Sequence, residues 1–127
     1  MIMKYFLSLG SNINATDNIE FAIDELSNLF FDLEISSTHQ TTAEGFEGDD
    51  FLNLVVAGSS EMNFTILNQQ LKEIENSAGR NRHAPKFSAR TLDIDIILQI
   101  NDADEIIFES EEIHKYQFVS DPLQELI

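Results

Sequence analysis

One short segment limits the fold more than any other. From Thr91 to Ile100 the chain reads TLDIDIILQI, with Leu92, Ile94, Ile96 and Leu98 at alternate positions. A period of two marks a β-strand with one buried face. The other face carries Asp93 and Asp95, whose Cα atoms lie roughly 6.5 to 7 Å apart on strand geometry. Asp is disfavoured in strands, and neighbouring carboxylates repel. A cation between them removes that penalty, and Mg²⁺ accepts one or two carboxylates when substrate phosphates and water complete its shell. An acidic, half-exposed strand face is the plainer reading of the pair taken alone.

The residues just before the pair sharpen this reading. Seven basic residues stand against twenty-three acidic ones, giving a net charge of −16. Four of the seven, Arg80, Arg82, Lys86 and Arg90, fall in the window 80–90, which contains no acid. The rest of the chain repels anions, so this window is where an anionic ligand would be received. Three of the four are Arg, whose planar fork suits bidentate contact with phosphate oxygens. Chain connectivity therefore joins metal-type carboxylates to phosphate-type guanidiniums, the composition of a nucleoside triphosphate site.

Overall acidity argues against nucleic-acid partners, because such a surface repels phosphate backbones. The absence of Cys excludes disulfides, thiolate zinc sites and thiol nucleophiles. No apolar run approaches the roughly 20 residues of a membrane span. The stretch from Tyr5 to Leu9 is too short for a signal-peptide core. With 127 residues, 43% of them hydrophobic, the expectation is one domain over residues 1–127, cytoplasmic and monomeric.

The remaining elements follow from periodicity and punctuation. Met3 to Leu9 reads as a buried strand stopped by Gly10-Ser11-Asn12. Asp17 and Glu20 resemble a capping box, and Ile19, Ile23, Leu26 and Phe30 recur at helical spacing. Ile35 to Thr41 and Phe51 to Ser59 read as strands, separated by the acidic, Gly-containing loop 44–50. Leu67, Leu71, Ile74 and Ala78 mark a second helix, with Gly79 placed as its C′ residue. The strand at 91–100 follows the basic loop. A turn at 101–104, a short edge strand from Glu105 to Phe108 and a final helical turn opening at Pro122 complete the chain. The order is βαββαβ, which predicts an α+β, ferredoxin-like core. Its antiparallel sheet carries helices on one face, plus a short C-terminal extension.

No Walker-A loop, kinase glycine loop or dinucleotide fingerprint is present. Instead Leu9-Gly10-Ser11-Asn12, Phe51-Leu52-Asn53, Glu75 with Gly79-Arg80-x-Arg82, and Arg90-Thr91-Leu92-Asp93-Ile94-Asp95 occur in this order. Together they resemble the 6-hydroxymethyl-7,8-dihydropterin pyrophosphokinase family of folate biosynthesis, from about Tyr5 to Leu98. The resemblance implies a ferredoxin-like fold and transfer of pyrophosphate from MgATP to the pterin hydroxymethyl oxygen, releasing AMP. It implies that Asp93 and Asp95 bind two Mg²⁺ ions, and that Arg80, Arg82 and Arg90 contact phosphates. Glu75 and His114 would serve the nucleotide. Thr41, Glu44, Phe51, Asn53, Phe87 and Phe118 would line the pterin, with Asn53 hydrogen-bonding it and two aromatics stacking on it.

Two segments depart from the family pattern. The segment Thr42-Ala43-Glu44-Gly45 lacks the family's loop proline, and Ile113 to Phe118 is shortened, with Tyr116 where a basic residue is usual. These departures motivate a second expectation: a weakened paralogue that binds nucleotide or pterin without turnover, or a non-enzymatic interaction domain.

Overall fold

In a computed structural model, residues 1–41, 50–78 and 92–127 are described. The elements are β1 (Met3–Ser11), α1 (Ala15–Ser27), β2 (Phe31–Ile35), β3 (His39–Thr41), β4 (Phe51–Ser60) and α2 (Phe64–Ser77), then β5 (Asp93–Ile100), β6 (Ile106–Glu109), α3 (Glu112–Lys115) and α4 (Gln117–Gln124). The strands form one antiparallel sheet in the order β2-β4-β1-β5-β6, with β3 also on β4. Counting β2 and β3 as one interrupted strand, this is the ferredoxin-like arrangement the element order predicts.

The apolar rows explain the layering. Tyr5, Leu7 and Leu9 of β1, Leu54 and Val56 of β4, and Ile94 and Ile96 of β5 all point to one face. Ile19, Ala22 and Leu26 of α1 and Leu67, Leu71 and Ile74 of α2 cover that face. α2 is capped by Asn63, whose side-chain oxygen accepts the Ile66 N–H at 2.9 Å. Gly58 is required here, since a Cβ at this position would lie 2.7 Å from Phe30 Cβ. Phe6, Val55, Ala57, Ile97 and Leu98 point to the opposite face, which Val119 and Leu123 of α4 cover. The C-terminal extension is thus the second layer over the sheet.

Several local expectations change. Leu98 does not share a face with Ile94 and Ile96. A register shift between Phe6 and Leu7 puts Leu7 opposite Ile96 and Phe6 opposite Leu98, so Ile97 is the extra residue of a bulge. Both Ile97 and Leu98 then reach the α4 side, and Gln99 turns back to approach the Tyr5 hydroxyl at 3.4 Å. The expected strand at 35–41 is broken into β2 and β3. Ser36 interrupts it by lending its hydroxyl, in place of a carbonyl, to the Val55 N–H at 2.9 Å. β2 itself reaches back to Phe31 through a bulge containing Asp32 at φ 51, a left-handed conformation that Asp tolerates.

α1 begins at Ala15 rather than at the Asp17 capping box. Asn14 turns the chain at φ 44, and the Asn18 amide donates to the Ile13 carbonyl at 2.6 Å. The edge strand runs one residue later than expected, Ile106–Glu109. Pro122 lies inside α4 instead of opening a final turn. Among the described residues no helix is long and apolar enough to cross a membrane. Gly79 and the basic loop lie outside the described residues.

Candidate active site

Cross-strand register assembles the site. Asn53 of β4 and Asp93 of β5 both pair with Gly10 of β1, and His39 of β3 pairs with Asn53 from the other side. Alternation puts this row on the α4 face of the sheet, together with Asp95 opposite Ser8 and Phe51 opposite Thr41. Gly10 leaves no room for a side chain, since a Cβ there would stand 3.0 Å from Asn53 Oδ1. The row therefore carries an amide on one bank of Gly10 and carboxylates on the other.

On the amide bank Asn53 is buried, and its Nδ2 donates to Thr41 Oγ1 at 2.8 Å. That bond fixes the amide plane and leaves Oδ1 directed toward Gly10. Phe118 is half-buried at the start of α4, with its ring stacked on Tyr116 at 4.9 Å between centroids. Tyr116, standing where the family usually has a basic residue, therefore covers a face of the aromatic instead of offering a charge.

On the carboxylate bank Asp93 and Asp95 are both partly exposed and electrostatically coupled. Partial burial raises the Asp95 carboxyl to about 7, and repulsion from Asp93, Glu112 and Glu75 adds to the rise. Lys72 of α2 opposes it, with Nζ 3.8 Å from Asp95 Oδ1. Such a group gains most from an arriving cation, so the donor chemistry fits a hard divalent ion completed by phosphate and water. Among the described residues no group of three or more His, Cys, Asp or Glu gathers as a metal site.

Glu75 is fully buried, unlike a solvated helix residue. Its Oε2 accepts the Ile94 N–H at 2.7 Å, and its Oε1 lies 3.5 Å from Lys72 Nζ. Ile94 pairs with Leu9 on its other side, so Glu75 takes the β5 edge at a level where, among the described residues, no strand pairs with it. His114 sits on α3 with Nε2 2.6 Å from Glu109 Oε2, largely in solvent. Arg80, Arg82, Phe87 and Arg90, with Glu44, lie outside the described residues. The structure thus brings together Thr41, Phe51, Asn53, Asp93 and Asp95 on one face, and sets Glu75 behind the strand bearing the acids.

Lys72 and Glu112 complete the electrostatics around Asp95, and neither belongs to a motif. Lys72 had one signal: it is one of three basic residues outside 80–90, one turn before Glu75. Glu112 had none, because only the folding of α3 over the sheet brings it near β5.

The core is ferredoxin-like α+β, and one face of its sheet carries two partly exposed carboxylates beside a buried amide and aromatic rings. The model of the 7,8-dihydro-6-hydroxymethylpterin-pyrophosphokinase (HPPK) family matches residues 6–127. The chain is also 30% identical over 139 residues to the 2-amino-4-hydroxy-6-hydroxymethyldihydropteridine pyrophosphokinase of Haemophilus influenzae, spanning 99% of this chain and 82% of that one. The chain belongs to the HPPK family.

Proposed function

We propose that this chain transfers pyrophosphate from ATP to the hydroxymethyl oxygen of 6-hydroxymethyl-7,8-dihydropterin, releasing AMP, as a cytoplasmic monomer. The row Asn53–Gly10–Asp93 carries the reading, because it sets a pterin-type amide and a metal-type carboxylate across one open strand. Asn53, held by Thr41, offers its carbonyl oxygen to the pterin's amino and ring N–H edge. Phe51 and Phe118 supply apolar faces for the heterocycle. Asp93 and Asp95 would hold two Mg²⁺ ions. Such ions would supply positive charge to offset that of the phosphates.

The chain's own contribution is positioning. Glu75 fixes β5, and so the acids, through the Ile94 N–H. Lys72 balances the acids while the site is unloaded. As the family resemblance implies, Arg80, Arg82 and Arg90 contact the triphosphate, and Glu44 and Phe87 serve the pterin. His114 joins the nucleotide after leaving Glu109. Oriented reactants and fixed charge supply most of the rate in such a transfer.

Release of AMP from MgATP, followed with and without the hydroxymethyl-dihydropterin, tests this. Pterin-dependent AMP is the expected result. Nucleotide binding without AMP would overturn it in favour of a binding-only paralogue.

A further inference from the structure

The far end of α4 makes a set of bonds that the pyrophosphate transfer itself does not call on. Glu125, the residue capping α4, accepts the Ser37 backbone N–H at 2.8 Å through Oε1. Its Oε2 accepts the Ser37 hydroxyl at 2.7 Å and lies 2.7 Å from His39 Nε2. These bonds, the backbone one first, hold the Glu125 carboxyl down at about 2, so it is ionised at neutral pH.

Ser37 lies in the break between β2 and β3. Its neighbour Ser36 is the residue bonded to Val55 of β4, so the Ser37 N–H points off the sheet edge. Glu125 occupies the place an additional strand would take. β3 has only three residues and, among the described residues, pairs with β4, so the Glu125 bond to His39 adds a hold on it from outside the sheet. The path to the site is short. His39 is opposite Asn53, and Thr41, two residues on, accepts the Asn53 amide. The other end of α4 carries Phe118.

We propose that Glu125 is a positioning residue for the pterin: it latches α4 to β3 and so fixes the spacing between Phe118 on the helix and Asn53 on the sheet. This rests on the assignment of those two residues to the pterin. A flat ligand held between an aromatic face and an amide demands placement to about 0.5 Å, which a three-residue edge strand and a helix end do not keep unaided.

The test measures two affinities on the full chain by calorimetry. One is for Mg-α,β-methylene-ATP, whose bridge resists cleavage. The other is for the hydroxymethyl-pterin in the presence of that analogue. Glu125→Ala is expected to weaken pterin binding about tenfold and leave the nucleotide within twofold. Glu125→Gln, which keeps one acceptor oxygen, is expected to fall between. Ser37→Ala removes the hydroxyl's contacts with Glu125 and His39 but keeps the backbone N–H bond, and is expected to cost about threefold, which keeps the test open if Glu125→Ala does not fold. Unchanged pterin affinity in these variants, or equal loss of both ligands, overturns the latch. A wild-type chain that binds the nucleotide analogue but no pterin removes the pterin assignment itself, and the latch with it.

Discussion

Asp95 concentrates the electrostatics of the site in one side chain. Its carboxyl stands at about 7 because partial burial and three acids outweigh Lys72. A carboxyl raised on folding binds its proton more tightly in the native state, so its contribution is full below the unfolded value near 4 and lost as pH rises through 7. Asp95→Asn is therefore expected to stabilise the metal-free protein at pH 8 while abolishing turnover. The gain should be about 1 kcal/mol, since the side chain is 40% exposed and water screens the repulsion. Urea titrations at pH 5 and pH 8 check this, the gain being larger at pH 8 and smaller at pH 5. Gly10 makes the complementary case. Gly10→Ala is expected to raise the pterin KM at least tenfold through the 3.0 Å approach to Asn53 Oδ1, with the fold retained. Both positions stand out in the sequence, as an acid in a strand and a glycine in a motif. The reason Gly10 must lack a side chain is visible only in the register.

Elements in this fold are fastened by side chains at their open edges. Glu75 takes the Ile94 N–H and so ties α2 to the uncovered side of β5. Glu75→Ala is expected to cost about 1–3 kcal/mol by leaving that buried donor without its acceptor, and Glu75→Gln distinctly less. Chemical denaturation of the two variants is the measurement. At the opposite edge, Glu125 bonded to Ser37 and His39 holds its proton only near pH 2. A depressed carboxylate stabilises above its unfolded value, near 4.5, and loses that effect as pH falls toward 2. The Ser37 backbone amide, bonded to this carboxylate, should thus keep its hydrogen-bonded shift to well below pH 4, and its earlier loss would contradict the latch. Periodicity located α1 and α2, which bury one face each, and apolar runs or alternation located β1, β4 and β5, which are covered on both faces. It did not locate the break at Ser36 or the bulge at Ile97, since both depend on what the adjacent strand offers.

At the scale of the whole molecule, a charge of −16 on 127 residues opposes compaction. Salt screens that repulsion, so 0.5 M KCl is expected to raise Tm at pH 8 by about 5 °C, the shift that roughly 1 kcal/mol produces in a domain of this size. Calorimetry at low and high salt would show it, and a falling Tm would contradict it. The C-terminal helices are integral to this molecule, because Val119 and Leu123 cover Phe6, Val55, Ile97 and Leu98. By itself the sequence determined the element order, the buried face of β5, the acidic pair and the motifs that mark the family, all of which are local patterns of spacing and charge. Tertiary structure alone decided that Glu75 is buried against β5, that Lys72 and Glu112 meet Asp95, and that Glu125 reaches Ser37 and His39. Those partners are 17 to 88 residues apart along the chain, and no local pattern encodes a contact that chain folding creates.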